Sequence, residues 1–289
     1  MYERHFGLTA KPFAMTPDPA FLYASPQHTM ALTMLDYGLE SQAPFMVLTG
    51  DIGSGKTTLV RGLLRQLGDR VAVGLITHTH TRFETLHGWA LSALGGASHD
   101  SEVARYEALV EILLREYSRG RRTLLIFDEA QNLSIESLEE LRLLSNVNSE
   151  KDLILQTMLV GQPELRAKLS RPELKQFAQR VSVFYHLRSL EREETRAYVR
   201  HRLAVAGGNP EIFRDEAIDA IYSRSKGVPR LVNQLCDYAL VYGFAEKRMQ
   251  IDADLIAQVV RDCRSGLALP AIFAAGLEAP ADLTKVGST

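Results

Sequence analysis

The sequence predicts an α/β protein, a five-stranded parallel sheet with helices on both faces, followed by a small all-helical domain. Three observations predict it. Short apolar runs alternate with helical patterns as far as residue 187. Beyond that point no strand pattern recurs and four helical segments follow. Between the first apolar run and the helix after it lies a glycine-rich loop of fixed spacing, Gly50 to Thr57.

Residues 1–44 form the lead-in. Pro12, Pro17, Pro19 and Pro26 break it into turns, and Phe6, Phe13, Phe21 and Tyr23 between them predict packing on a core. A helix starts at Pro26, with Ser25 as its N-cap and Gly38 as its stop. Strands are expected over 45–49, 71–77, 123–129, 153–161 and 181–187. Helices are expected after the glycine loop and over 83–94, 102–117 and 138–144, with Trp89 as a core anchor in the second of these. The helical domain reads as helices over 191–206, 214–225, 229–246 and 253–264, with Asp252 capping the last and Gly207, Gly208, Asn209 and Pro210 separating the first two. The expected domains are 1–187, a lead-in plus the sheet domain; 188–265, the helical domain; and 266–289, a flexible tail with an apolar stretch over 267–277.

Composition narrows the function classes. Hydrophobic residues make up 46 % and charged residues 24 % of the chain, as in ordinary globular proteins. A formal net charge of −2 excludes a generally basic nucleic-acid binder. DNA contact would need a local patch, for which Arg119, Arg121 and Arg122 are the candidates. Cys236 and Cys263 fall in amphipathic helical patterns and read as buried thiols. No secretory signal and no run of about 18 apolar residues is visible, so a cytoplasmic protein without a transmembrane segment is expected. His78 and His80 alternate after the second strand, but without a third ligand nearby a metal site there is not expected.

The loop carries the first chemistry. Gly50 to Thr57 fits G-x-x-x-x-G-K-[ST] between a strand and a helix, the context a phosphate-binding loop requires. Gly50, Gly53 and Gly55 permit backbone conformations and close approaches that a side chain would block. Gly50, Asp51, Ile52, Gly53, Ser54, Gly55, Lys56, Thr57 and Thr58 are the expected nucleotide-binding residues. Lys56 would reach the β- and γ-phosphates, and the Thr57 hydroxyl would hold Mg²⁺. Asp128 and Glu129 end the third strand, the Walker B pattern. Asp128 is expected to hold Mg²⁺ and Glu129 to polarise the attacking water. A single strand separates the loop helix from this pair in sequence, which fits the ATPase class with another strand between them in the sheet. Gln162 follows the fourth strand and would orient the water; the alternative is a turn residue before Pro163. Arg180, just before the fifth strand, would reach a neighbouring subunit's γ-phosphate as an arginine finger. Arg230 opens a helix of the small domain. A cation is unfavourable at that end of a helix, which points to a bound anion.

Together these residues resemble an AAA+ ATPase with a helical lid, and more narrowly the general secretion pathway protein A (ExeA-type) family, which includes pilus-biogenesis and exopolysaccharide-cluster ATPases. The matching stretches are residues 2–8, 11–13, 16–19, 50–58, 125–132, 160–165 and 227–236. The opening motif is distinctive, whereas the Walker motifs are generic. The resemblance implies a nucleotide-driven oligomer. It assigns the Walker, finger and lid roles to Lys56, Thr57, Asp128, Glu129, Arg180 and Arg230. Longer secretion members continue into a membrane span and a peptidoglycan-binding domain, so the short form weighs against peptidoglycan binding. The expected function is MgATP hydrolysis that assembles or remodels a secretion, pilus or surface-polysaccharide system, through an ATP-dependent ring or filament and an envelope protein partner, in the cytoplasm or peripherally at the inner membrane. The rival readings are a DNA-associated ATPase, such as a transposition helper or clamp-loader-like protein, and a non-hydrolysing nucleotide switch, against which Glu129 argues.

Overall fold

The computed structural model describes residues 1–16, 18–77, 85–147 and 153–264. His78, His80 and the tail from residue 265 lie outside the described residues. The chain divides into two compact units, Pro26–Arg188 and Met1–Ser25 together with Ser189–Thr289.

The first unit runs α2 (Pro26–Glu40), β1 (Phe45–Gly50), α3 (Lys56–Leu67), β2 (Val71–Ile76), α4 (Leu86–Ala93), α5 (Glu102–Ser118), β3 (Arg122–Phe127), α6 (Ile135–Leu144), β4 (Leu155–Gly161), α7 (Pro163–Leu169), α8 (Lys175–Ala178) and β5 (Val181–Leu187). All five strands are parallel, in the order β2-β3-β4-β1-β5. β4 thus stands between the loop strand β1 and the acid-bearing strand β3, as expected for that ATPase class.

Alternation along the strands feeds two cores. Phe45 and Val47 of β1, with Leu125 and Phe127 of β3, face a cluster completed by α4 to α8. Met46 and Leu48, with Leu124 and Ile126, face the cluster completed by α2 and α3. Every residue of β1 and β4 is buried, the pattern of central strands covered on both sides. Trp89 is packed against the first cluster, as its core reading required.

Gly38 does not stop α2, which continues to Glu40. A Cβ on Gly38 would lie 2.7 Å from Met46 Sδ and 2.9 Å from a Val183 methyl, so this glycine serves close helix–sheet approach. Gln156 of β4 secures that end of α2 by donating to the Gly38 and Ala43 carbonyls at 3.0 and 3.1 Å.

The second unit contains α1 (Tyr2–His5), α9 (Arg192–Val205), α10 (Asp215–Ser225), α11 (Pro229–Ala245) and α12 (Ala253–Arg264). Its sole sheet-like feature among the described residues is a parallel bridge between Phe213 and Ile251. Asp252 caps α12 by accepting from Leu255 N at 3.0 Å. Cys236 and Cys263 are free and buried.

The lead-in needs correcting, because Met1–Ser25 belong to this helical unit rather than to the sheet domain. The reason is aromatic burial. Tyr2, Phe6, Leu8 and Phe13 are buried among Val199, Leu203, Phe213 and Leu240, and Phe13 meets the Phe213 ring edge-on at 5.9 Å. Polar bonds follow the same path. Thr9 N donates to Ala206 O at 2.8 Å, and the buried Arg202 guanidinium donates to Pro12 O while lying over the Phe21 ring.

Candidate nucleotide site

The loop between β1 and α3 divides its glycines by task. Gly53 and Gly55 have φ of +80° and +99°, a region L-side chains rarely adopt. Gly50 instead needs space, since a Cβ there would lie 2.6 Å from Leu187 O and 2.8 Å from Ser54 Oγ. Helices α4, α5 and α6 are capped by Thr85, Ser101 and Ser134, whereas α3 starts after Gly55 with no side-chain cap. Its first-turn N–H groups therefore remain available to an anion. Lys56 is buried and its Nζ donates to Gly50 O at 2.7 Å and Asp51 O at 2.9 Å. Burial pushes the Lys56 ammonium pKa down, while the charges of Glu129, Asp128 and Asp51 pull it back up. An approaching polyphosphate would add a directly bonded counter-charge, which the two backbone carbonyls do not supply. Asp51 and Ile52 are exposed at the loop tip, and Thr58 is half-buried.

The acids stand beside the loop. Asp128 N continues the β3–β2 pairing by donating to Ile76 O at 2.9 Å. Asp128 Oδ2 accepts from Thr57 Oγ1 at 3.4 Å, and Oδ1 from Glu129 N at 3.0 Å. Burial pushes the Asp128 carboxyl up, and the neighbouring Glu129 charge adds to the rise. A hydroxyl and a half-buried carboxylate this close are hard oxygen donors that fit Mg²⁺, which takes one or two protein ligands and completes its shell with phosphate and water. When bound there, Mg²⁺ would neutralise charge on the phosphates. Among the described residues no group of three His, Cys, Asp or Glu side chains gathers as a separate metal site.

Glu129 adopts φ +54°, left-handed for a non-glycine residue. Its exposed carboxylate accepts two bonds at one oxygen, Oε2, from Gln131 Nε2 at 2.6 Å and from Gln162 Nε2 at 3.1 Å. Gln162 therefore lies where it was expected, at the end of β4, but its amide engages the acid itself.

Two contributors escaped the sequence reading. Gln131 lies two positions beyond Glu129, in the turn after β3, and carried no motif of its own. His28 of α2 is buried beneath the loop. Its Nε2 lies 3.1 Å from where a Gly55 Cβ would be, and its ring hydrogen-bonds the Ser54 backbone. Burial pushes the imidazole pKa down. Its one available signal was a polar residue on the apolar face of α2.

Comparison with known proteins puts the loop and both acids within a matched domain. Residues 39–169 match the family model described as an AAA domain. The chain is 38 % identical over 270 residues to General secretion pathway protein A of Aeromonas hydrophila, covering 91 % of this chain and 49 % of that protein. The chain is an AAA-type relative of general secretion pathway protein A. It spans about half the length of the curated relative it matches. Among solved structures, the ORC2 protein of Aeropyrum pernix in its ADPNP–ADP complexes superposes with a TM-score of 0.66 at 16 % identity, over 87 % of this chain and 71 % of that one. The ORC1 protein of Aeropyrum pernix in complex with DNA gives 0.61 at 20 % identity, over 89 % and 71 %. Cdc6p of Pyrobaculum aerophilum gives 0.63 at 15 % identity, over 91 % and 75 %. At such identities these likenesses establish the P-loop AAA+ fold alone.

Arg180 stands apart from the chain's own loop. Arg180 precedes Val181, which pairs with Phe45 at the start of β1, whereas the loop begins at the other end of that strand. The separation is about 16 Å at the usual rise per strand residue, beyond reach of the chain's own loop. Arg180 NH1 donates to Arg142 O at 3.2 Å and Ser145 Oγ at 2.7 Å, at the C-terminal end of α6. Arg230 belongs to the helical unit, exposed in the first turn of α11. The turn before it is tight, because Gly227 has φ +73° and a Cβ there would lie 1.8 Å from Leu190 O. In the basic cluster, Arg119 and Arg121 both pair with Glu116, and Arg122 donates to Leu39 O at 3.0 Å. No helix among the described residues is long and apolar enough to cross a membrane.

Proposed function

We propose that the protein binds and hydrolyses MgATP and uses the cycle to assemble or remodel a secretion, pilus or surface-polysaccharide envelope system. The observation that carries the hydrolytic reading is the Glu129 carboxylate, held by two amides beside the Thr57–Asp128 pair at the phosphate-loop edge of the sheet. The loop N–H groups and Lys56 would bind the phosphates. Thr57 and Asp128 would hold Mg²⁺, Glu129 would take the proton of the attacking water, and Gln162 would keep that acid oriented.

Arg180 cannot serve its own loop from the far end of β1, so we assign it in trans, reaching a neighbour's γ-phosphate in an ATP-dependent ring or filament. The cost is release of its two bonds to the end of α6. Arg230 is proposed to contact the phosphates from the lid. The envelope assignment and an inner-membrane location rest on the similarity to General secretion pathway protein A, and concern the part of that protein this chain spans. The DNA-associated reading is weaker, because each arginine of the 119–122 cluster already has a partner.

Steady-state phosphate release and MgATP binding in the Glu129→Gln protein test the reading. Retained binding with turnover lost supports it; full turnover removes Glu129 from the role of base.

A further inference from the structure

Glu129 is exposed and carries a long side chain, so its carboxylate keeps one direction only if neighbouring groups hold it. Gln131 supplies the missing restraint. At one end its Nε2 donates to Glu129 Oε2 at 2.6 Å. At the other end its Oε1 accepts from the Gln162 backbone N–H at 3.0 Å. One primary amide thus links the end of β3 to the end of β4, its neighbour in the sheet. The link has its space provided. A Cβ on Gly161 would lie 2.8 Å from Gln131 Oε1, so only glycine there lets the amide through unshifted. The turn is held as well. Lys168 Nζ of α7 donates to the Gln131 and Leu133 carbonyls, and Asn132 N donates to Glu129 O at 2.9 Å.

We infer that Gln131 is a positioning residue for hydrolysis: its amide, seated against Gly161, fixes the Glu129 carboxylate with Oε2 occupied and Oε1 left to take the proton of water. The inference deepens the hydrolytic reading and rests on it. Gln131 and Gln162 both donate to Oε2, while Oε1 has no hydrogen-bond partner among the described residues. Removing Gln131 leaves the phosphate loop and the Thr57–Asp128 pair intact but leaves the base held by the Gln162 amide alone, at the longer of the two bonds. That loss belongs to the chemical step and not to ATP binding.

The test uses the full chain, with phosphate release and equilibrium MgATP binding measured on each variant and a thermal melt confirming the fold. Gln131→Ala should lower kcat on the order of 10²-fold with MgATP affinity unchanged. Gln131→Glu, near-isosteric but with a carboxylate facing Glu129, should be at least as slow. Gly161→Ala, which displaces the amide from the other side, should also lower kcat. The double variant Gln131→Ala/Gly161→Ala should be no slower than Gln131→Ala, because both changes break the same link. Wild-type kcat in Gln131→Ala, losses that multiply in the double variant, or a loss explained entirely by weaker ATP binding would each overturn the inference. If the wild type turns over and Glu129→Gln does not, a normal Gln131→Ala sinks the positioning role alone. A folded wild type that binds MgATP but never hydrolyses it sinks the hydrolytic reading, and this inference with it.

Discussion

Replacing Lys56 with alanine removes the buried ammonium that the loop holds through Gly50 O and Asp51 O, and the expected outcome is loss of MgATP binding by calorimetry. Glu129→Gln should instead keep binding and lose turnover by about 10²-fold or more, because an amide cannot accept the proton. His28 adds a pH dependence. Its folded-state pKa lies below the ordinary imidazole value of 6.5, so the unfolded chain takes up a proton first as the pH falls. The His28 contribution is complete above that value and is lost below it. Denaturation midpoints of wild type should therefore fall between pH 7 and about pH 5, and His28→Gln should show a smaller fall. An equal fall in both proteins would remove His28 from the account. At this scale Lys56, Thr57, Asp128 and Glu129 stand out as candidates in the sequence because phosphate and Mg²⁺ chemistry ties residue type to spacing. Gln131 and His28 do not, since each acts through a contact that only the fold creates.

At the scale of elements, the strands and most helices could be read from periodicity and caps. Alternation put Phe45 and Val47 on one face of β1 and Met46 and Leu48 on the other, and the two cores follow that division. Gly38 shows where the reading fails. A glycine late in a helix signals a stop, but here it is a packing position against Met46 and Val183. Gly38→Ala should overpack that contact and cost about 1–3 kcal/mol, read from the urea midpoint. A neutral or stabilising result would mean that α2 moves aside without penalty. Arg180 belongs to this scale too, as a cation bonded at the C-terminal end of α6, where the helix dipole favours it.

At the scale of the molecule, the aromatic lead-in predicted burial but not its address. Phe13 is fully buried in the helical unit, and Phe13→Ala should destabilise it by about 3–5 kcal/mol. Differential scanning calorimetry should show the transition of the helical unit shifted down while that of the sheet unit stays. A shift of the sheet transition instead would contradict the assignment of Met1–Ser25. The proposed assembly is tested at this scale too. Glu129→Gln with MgATP should form an oligomer by light scattering, and Arg180→Ala with Glu129 intact should lower turnover only under conditions where subunits associate. Equal loss in dilute monomer would end the trans assignment.

The local pattern, a glycine loop between a strand and a helix and apolar strand runs, was determined by the sequence alone. Phosphate binding demands glycines, a lysine and a hydroxyl at set spacing, and a buried parallel strand demands a continuous apolar run, so both are written in neighbouring residues. Only the tertiary structure decided which core receives the lead-in, that Gly38 and Gly161 are there to make room, and that Gln131, beside Glu129, also reaches the Gln162 backbone at the end of the next strand. These depend on contacts between residues far apart in the chain, and a side chain's own type and neighbours do not encode what the fold will bring against it.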